Sequence, residues 1–91
     1  MHLLIANHDV EDYDRWRAGY DADPPPVDGA RFVHVLRNID DPNNVRIICG
    51  WGTAEEAIAF RDNPDLKSGM DAAGVVGAPR IEIFEEIEVE H

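Results

Sequence analysis

Positive charge is scarce in this chain. Eight Lys and Arg stand against nineteen Asp and Glu, giving a formal charge of −11. Such a field repels phosphate backbones and anionic lipid, so neither nucleic acid nor a membrane surface is an expected partner. Cysteine is nearly absent: Cys49 alone excludes an internal disulfide framework, and in an apolar strand it behaves as a small core residue and a poor nucleophile. There is no apolar run near 18 residues and no basic segment leading into an apolar one, so the expectation is a soluble cytoplasmic protein. The glycines are scattered and form no phosphate-binding loop. His2, His8 and His34 have no recognised metal-ligand spacing, and no Ser-His-Asp or Cys-His constellation is evident. No repeat or low-complexity segment is present.

What remains fits one small domain over residues 1–91. Its organising stretch is Arg31 to Trp51, two β-branched and aromatic runs around Asp40-Asp41-Pro42-Asn43-Asn44. Those five residues favour a turn through Asx side-chain bonds and proline's fixed φ, so the stretch reads as a hairpin. On its first strand Phe32, His34 and Leu36 share one face, and Val33, Val35 and Arg37 the other. On its second, Val45, Ile47, Cys49 and Trp51 oppose Arg46, Ile48 and Gly50. Both faces are largely apolar.

His2 to His8 is a nearly continuous apolar run suited to a central strand. Asp9 is positioned to cap a following helix, along which Tyr13, Trp16 and Tyr20 form one aromatic stripe at spacings of three and four. The plainest role for the stripe is packing on the sheet. The alternative turns the tyrosine hydroxyls into a pocket, since buried phenols need partners. Ala22 to Gly29, with Pro24, Pro25 and Pro26, cannot continue the helix and reads as a stiff connector or a pocket lid.

Thr53 and Glu56 form a capping box for a second helix, which must stop before Asn63-Pro64. Asp65 caps a further short helix carrying Leu66, Met70 and Ala73, and Gly74 fits its C′ position. The last strand is expected over Arg80 to Glu90. There Ile81, Ile83, Ile87 and Val89 alternate with Glu82, Glu86, Glu88 and Glu90, while Phe84 and Glu85 break the pattern.

The order is β-α-β-β-α-β, the split βαβ arrangement. This is an α+β, ferredoxin-like fold: right-handed crossovers place the helices on one face of a four-stranded antiparallel sheet. The other face is left apolar and uncovered, which marks an interface, and a second copy packed sheet to sheet satisfies it. A homodimer is therefore expected, with Ile83 as an example of an interface residue.

Several segments resemble the dimeric α/β-barrel (ferredoxin-like) superfamily, near the antibiotic-biosynthesis monooxygenases. They are His8-Asp9-Val10-Glu11-Asp12-Tyr13-Asp14-Arg15-Trp16, then Arg37-Asn38-Ile39-Asp40-Asp41-Pro42-Asn43. Trp51-Gly52-Thr53 with Ala57 and Phe60, and Ala73-Gly74-Val75, complete the set. The resemblance implies two copies forming a barrel and a pocket in each subunit between sheet and helices. Tyr13, Trp16, Tyr20, His34, Trp51, Phe60 and Met70 are the candidate lining residues.

An aromatic wall of this kind suits a small, flat, aromatic or apolar molecule. In the cofactor-independent oxygenases of that superfamily the substrate itself supplies electrons to oxygen. The protein contributes a dry cavity, a proton acceptor and hydrogen bonds to a phenolate. That implies no cofactor. His34 is the expected base, with Tyr13 and Tyr20 as hydrogen-bonding partners, although a histidine in a strand is more often a hydrogen-bonded core residue. His8 either bonds to the loop backbone beside the helix cap or contributes to the ligand site. Arg37 either holds an anionic group or pairs with Asp40, Asp41 or a strand glutamate. Two functions stand: a non-enzymatic dimer that binds a small apolar molecule, and an oxygenase or cyclase-like enzyme on an aromatic or polyketide-like substrate.

Overall fold

In the computed structural model, which describes residues 1–90, the chain runs β1 (His2–Val10), α1 (Tyr13–Ala22), β2 (Phe32–Arg37), β3 (Asn44–Trp51), α2 (Ala54–Arg61), α3 (Pro64–Ala72) and β4 (Val75–Glu85). The expected element order is observed. The strands form one antiparallel sheet in the order β2-β3-β1-β4, which is the ferredoxin-like arrangement.

Local chemistry sets each boundary, in places differently from the sequence reading. The cap of α1 is Asp12, not Asp9: its carboxylate accepts the Arg15 N–H at 3.0 Å. Asp9 is still strand, because β1 runs on to Val10 by pairing with Val75 and Val76, and Asn44 Nδ2 donates to its carboxylate at 2.9 Å. α3 is capped by Asn63 rather than Asp65. Asn63 Oδ1 accepts the Asp65 N–H at 2.9 Å, and Pro64 occupies the first turn, where no N–H is needed. Thr53 caps α2 as expected, accepting from the Glu56 N–H at 3.2 Å. β4 begins at Val75 and ends at Glu85, so it lies earlier than Arg80 to Glu90; its first residues pair with the end of β1.

The hairpin turn is held by side chains. Asn38 Oδ1 accepts the Asp40 N–H at 2.8 Å and Asp41 Oδ1 accepts the Asn43 N–H at 3.1 Å. Asn43 Oδ1 in turn accepts the Tyr13 N–H at 3.1 Å, tying the turn to the start of α1.

Register sorts the sheet into two surfaces. Leu4 pairs with Cys49 and Ile83, and Ala6 with Ile47 and Ile81. These residues face the helices. They join Trp51, Ala57 and Phe60 in one buried cluster, while Val10, Trp16 and Val45 form a second, with Tyr20, Ile47 and Ala73 packed against it. Ile83 is thus part of the helix-side core, not of the uncovered surface. The opposite surface carries three rows: Phe84, Leu3, Gly50, Phe32; then Glu82, Ile5, Ile48, His34; then Arg80, Asn7, Arg46, Leu36. No helix covers it, and Phe84 and Leu36 are 46% and 44% exposed.

The β1–β4 ladder breaks once. Pairing passes from Asn7↔Arg80 to Asp9↔Val76, so Gly77, Ala78 and Pro79 lie opposite His8 alone. Gly77 takes φ +72°, where a Cβ would be strained, and Pro79 has no N–H to give a ladder.

Candidate functional site

A cavity of about 480 Å³ opens between the helices and the sheet, where the two core clusters part. Leu4, Ala6, His8 and Ile47 line it from the sheet, Trp16, Gly19 and Tyr20 from α1, and Phe60 from α2. α3 and its end contribute Leu66, Met70 and Ala73 among others. The Pro24–Pro26 segment lies along one side, so the proline-rich connector is also cavity wall.

His8 is the chemical centre of this wall. Even-numbered β1 residues up to this point face the helices, and the adjoining bulge leaves His8 without a β4 partner. It is 4% exposed, and among the described residues neither Nδ1 nor Nε2, both closed off from solvent, has a hydrogen-bond partner. The loop-backbone bond considered for it from the sequence is therefore not made. Burial pushes its pKa below the ordinary imidazole value, and the neighbouring Asp9 carboxylate only partly opposes this. The shift favours the neutral imidazole.

Aromatic rings extend from it in a stack. The Trp16 indole lies 5.6 Å from His8, and Tyr20 lies 5.2 Å from Trp16 at an interplanar angle of 35°. Burial raises the Tyr20 pKa, which keeps the phenol protonated and able to donate. Gly19 packs against Ala73, where an added Cβ would lie 3.5 Å from the Ala73 Cβ, so α1 and the end of α3 approach closely beside the cavity.

The sequence-derived candidates divide into three groups. His8, Trp16, Tyr20, Phe60 and Met70 meet at the cavity. Tyr13, at the start of α1, and Trp51, on the helix side of β3, stand outside it. Tyr13 packs on Trp16 at 6.0 Å beneath the Arg37 guanidinium, which sits 4.5 Å from the Tyr13 ring centre. Arg37 is thus stacked on an aromatic ring, and none of the described ion pairs includes it. Trp51 stacks on Phe60 at 5.2 Å and lines a smaller depression of about 240 Å³ with Pro26 and Asn63.

His34 belongs to neither place. It is exposed on the helix-free surface, 5.0 Å from Phe32 and paired across to Ile48. The sheet separates it from the cavity, so the expectation that it lines the pocket is corrected. The hairpin register accounts for this: pairing Arg37 with Val45 sets Val33 and Val35 beside Cys49 and Ile47, and turns His34 the other way. The lining residues Gly19, Asp23 and Ser68 carried no motif that singled them out.

Among the described residues no group of three His, Cys, Asp or Glu is arranged to hold a metal ion, and no helix is long and apolar enough to cross a membrane. Cys49 is fully buried, and burial pushes its thiol pKa up, away from nucleophile chemistry.

Taken together, the sheet order, the helices on one surface and the cavity beneath them define a ferredoxin-like α+β protein. No protein-family profile and no curated protein matches the chain. Solved structures do. A candidate antibiotic biosynthesis monooxygenase from Deinococcus radiodurans superposes with a TM-score of 0.79 at 15% identity, covering 100% of this chain and 97% of that one. One from Bordetella bronchiseptica gives 0.74 at 18% identity, over 96% and 97% of the two chains. SnoaB, a cofactor-independent oxygenase from Streptomyces nogalater, gives 0.73 at 14% identity, over 97% and 94%. At these identities the likeness is one of fold.

Proposed function

We propose that this protein is a homodimer that binds a small, flat, aromatic or apolar molecule between its sheet and its helices. The single observation that carries the reading is the cavity itself, about 480 Å³ between sheet and helices, walled by Trp16, Tyr20 and Phe60 with the buried His8 ring among its lining. The volume lies within the range of small-molecule pockets, and Trp16, Tyr20 and Phe60 offer flat apolar contact.

The same histidine favours a second reading, cofactor-independent oxygenation, in keeping with the description of SnoaB. With its ring turned so that a nitrogen meets the cavity, a neutral imidazole would take a proton from an acidic CH2 flanked by aromatic rings or from a phenol conjugated with it. The resulting carbanion gives electrons to O2 and forms a C–O bond. The proton held on His8 returns to the peroxide, and loss of water leaves a carbonyl, so that R2CH2 and O2 become R2CO and H2O. Trp16 and Phe60 would keep water from the carbanion, and Tyr20 would donate to a phenolate oxygen.

Calorimetric titration and oxygen uptake with a panel of phenols and anthrones, on wild type and His8→Leu, test both readings. Uptake that disappears in the variant supports oxygenation. Binding without uptake leaves the binding protein alone standing, and no binding by any probe removes both.

A further inference from the structure

Of the three helices over the sheet, α3 is the least firmly held, and it covers the cavity. The inference rests on the reading that the cavity holds a small molecule. α1 buries Trp16 and α2 buries Ala57 and Phe60, but no residue of α3 is buried. Its inner stripe, Leu66, Gly69 and Met70 with Ala73 at the C-cap, is half-buried, and all four line the cavity. Leu66 and Ala73 touch the two core clusters, while Gly69 and Met70 bridge the gap between them. Among the described residues no α3 side chain makes a hydrogen bond or ion pair with another element.

The helix also has little strength of its own. Nine residues are fewer than the roughly 12–15 that an isolated helix needs. Gly69 weakens its interior, and a Cβ there would meet no atom within 4 Å, so no close packing calls for glycine. Asp71 stands in the last turn, where a carboxylate opposes the dipole and no basic residue answers it. Both ends are punctuated, by Asn63-Pro64 and by Gly74 at φ +84°. The facing wall is different in kind. Pro24, Pro25 and Pro26 fix their own φ, and Val27 beyond them packs on the core.

We propose that α3 is the gate of the cavity: it undocks between Asn63 and Gly74 to admit the molecule, then closes over it beside a fixed proline wall. An element with so few buried contacts opens at a lower free energy than the fold as a whole. A bound ring would give Leu66 and Met70 the apolar contact that they lack over the empty cavity, so occupancy favours the docked helix. Entry and release then share one barrier, the opening of α3.

Stopped-flow quenching of tryptophan fluorescence by 2-naphthol tests the gate, since Trp16 lines the cavity. Lys67 and Asp71 are exposed and do not line it, so both can be changed without touching the bound probe. Lys67→Gly loosens the helix and should speed both entry and release by about fivefold. Asp71→Ala tightens it and should slow both by about threefold, with the ratio of the two rates nearly constant. Rates equal to wild type in both variants, or a change in release alone, would make α3 a plain wall and overturn the gate. Hydrogen exchange of the free wild-type protein supplies an independent check. The α3 amides should exchange faster than those of α2 and slow when 2-naphthol is added, and protection equal to that of α2 in the free protein also overturns the gate. If 2-naphthol and the other phenols and anthrones all fail to bind wild type, the cavity reading falls first and the gate with it.

Discussion

The imidazole of His8 stands 5.6 Å from the indole of Trp16, tilted by 53°, with both of its nitrogens free of any hydrogen bond. This pair is where stability and chemistry pull in opposite directions. Leucine would serve the core better at position 8, yet only the histidine can accept a proton there.

His8→Leu is expected to raise stability by about 1 kcal/mol at pH 7, because a buried, unsatisfied polar group is replaced by an apolar one of similar size. The sign of the pH effect follows from the lowered pKa. Above the ordinary imidazole value near 6.5 the contribution of a neutral His8 is complete. As the pH falls below that value, the unfolded chain binds a proton that the folded chain resists, and the contribution is lost until the folded pKa is passed. The slope from this group cannot exceed ~1.4 kcal/mol per pH unit. Urea unfolding of both proteins between pH 7.5 and 5.5 should show the wild type losing stability faster. Parallel curves would mean that His8 titrates normally.

Phe84 and Ile83 are neighbours in sequence on opposite surfaces of β4, which makes them a direct test of the proposed dimer. Sedimentation of the wild type should give about twice 10.2 kDa. Phe84→Glu should give a folded monomer, because it adds charge to the helix-free surface. Ile83→Asp should instead unfold the chain, at a cost of about 3 kcal/mol or more, since it sets a carboxylate beside Leu4 in the core. A wild type that sediments as one copy would remove the dimer.

Gly50 is buried beneath Phe32 and Met1 on that same surface. A Cβ there would overlap the Phe32 ring and press on the Met1 sulfur at 2.8 Å. Gly50→Ala should therefore cost about 1–3 kcal/mol by thermal or chemical unfolding. Phe32→Leu in the same chain should recover part of that loss, a coupling above about 0.5 kcal/mol in a double-mutant cycle. Strict additivity of the two would place the strain elsewhere.

Much of the architecture was legible because it rests on period and on punctuation. The alternation in β2 and β3, the Asp40 to Asn44 turn, the Thr53 cap and the stop at Asn63-Pro64 all act locally. The first helix start was misread because Asp9 and Asp12 are chemically equivalent caps. Pairing with Val75 and Val76, a contact distant in sequence, decides that Asp9 remains strand. The site was half legible for a related reason. Trp16, Tyr20, Phe60 and Met70 could be nominated from residue type, but choosing between His8 and His34 needs the register of four strands at once.

The irregular run Gly77-Ala78-Pro79 takes up two additional residues of β4 beside His8, and two is an even number. An even insertion leaves the inside-outside alternation unchanged before and after it. A change of chain length in steps of two at this spot would therefore leave both sides of the layer intact, and it would fall directly beside the imidazole.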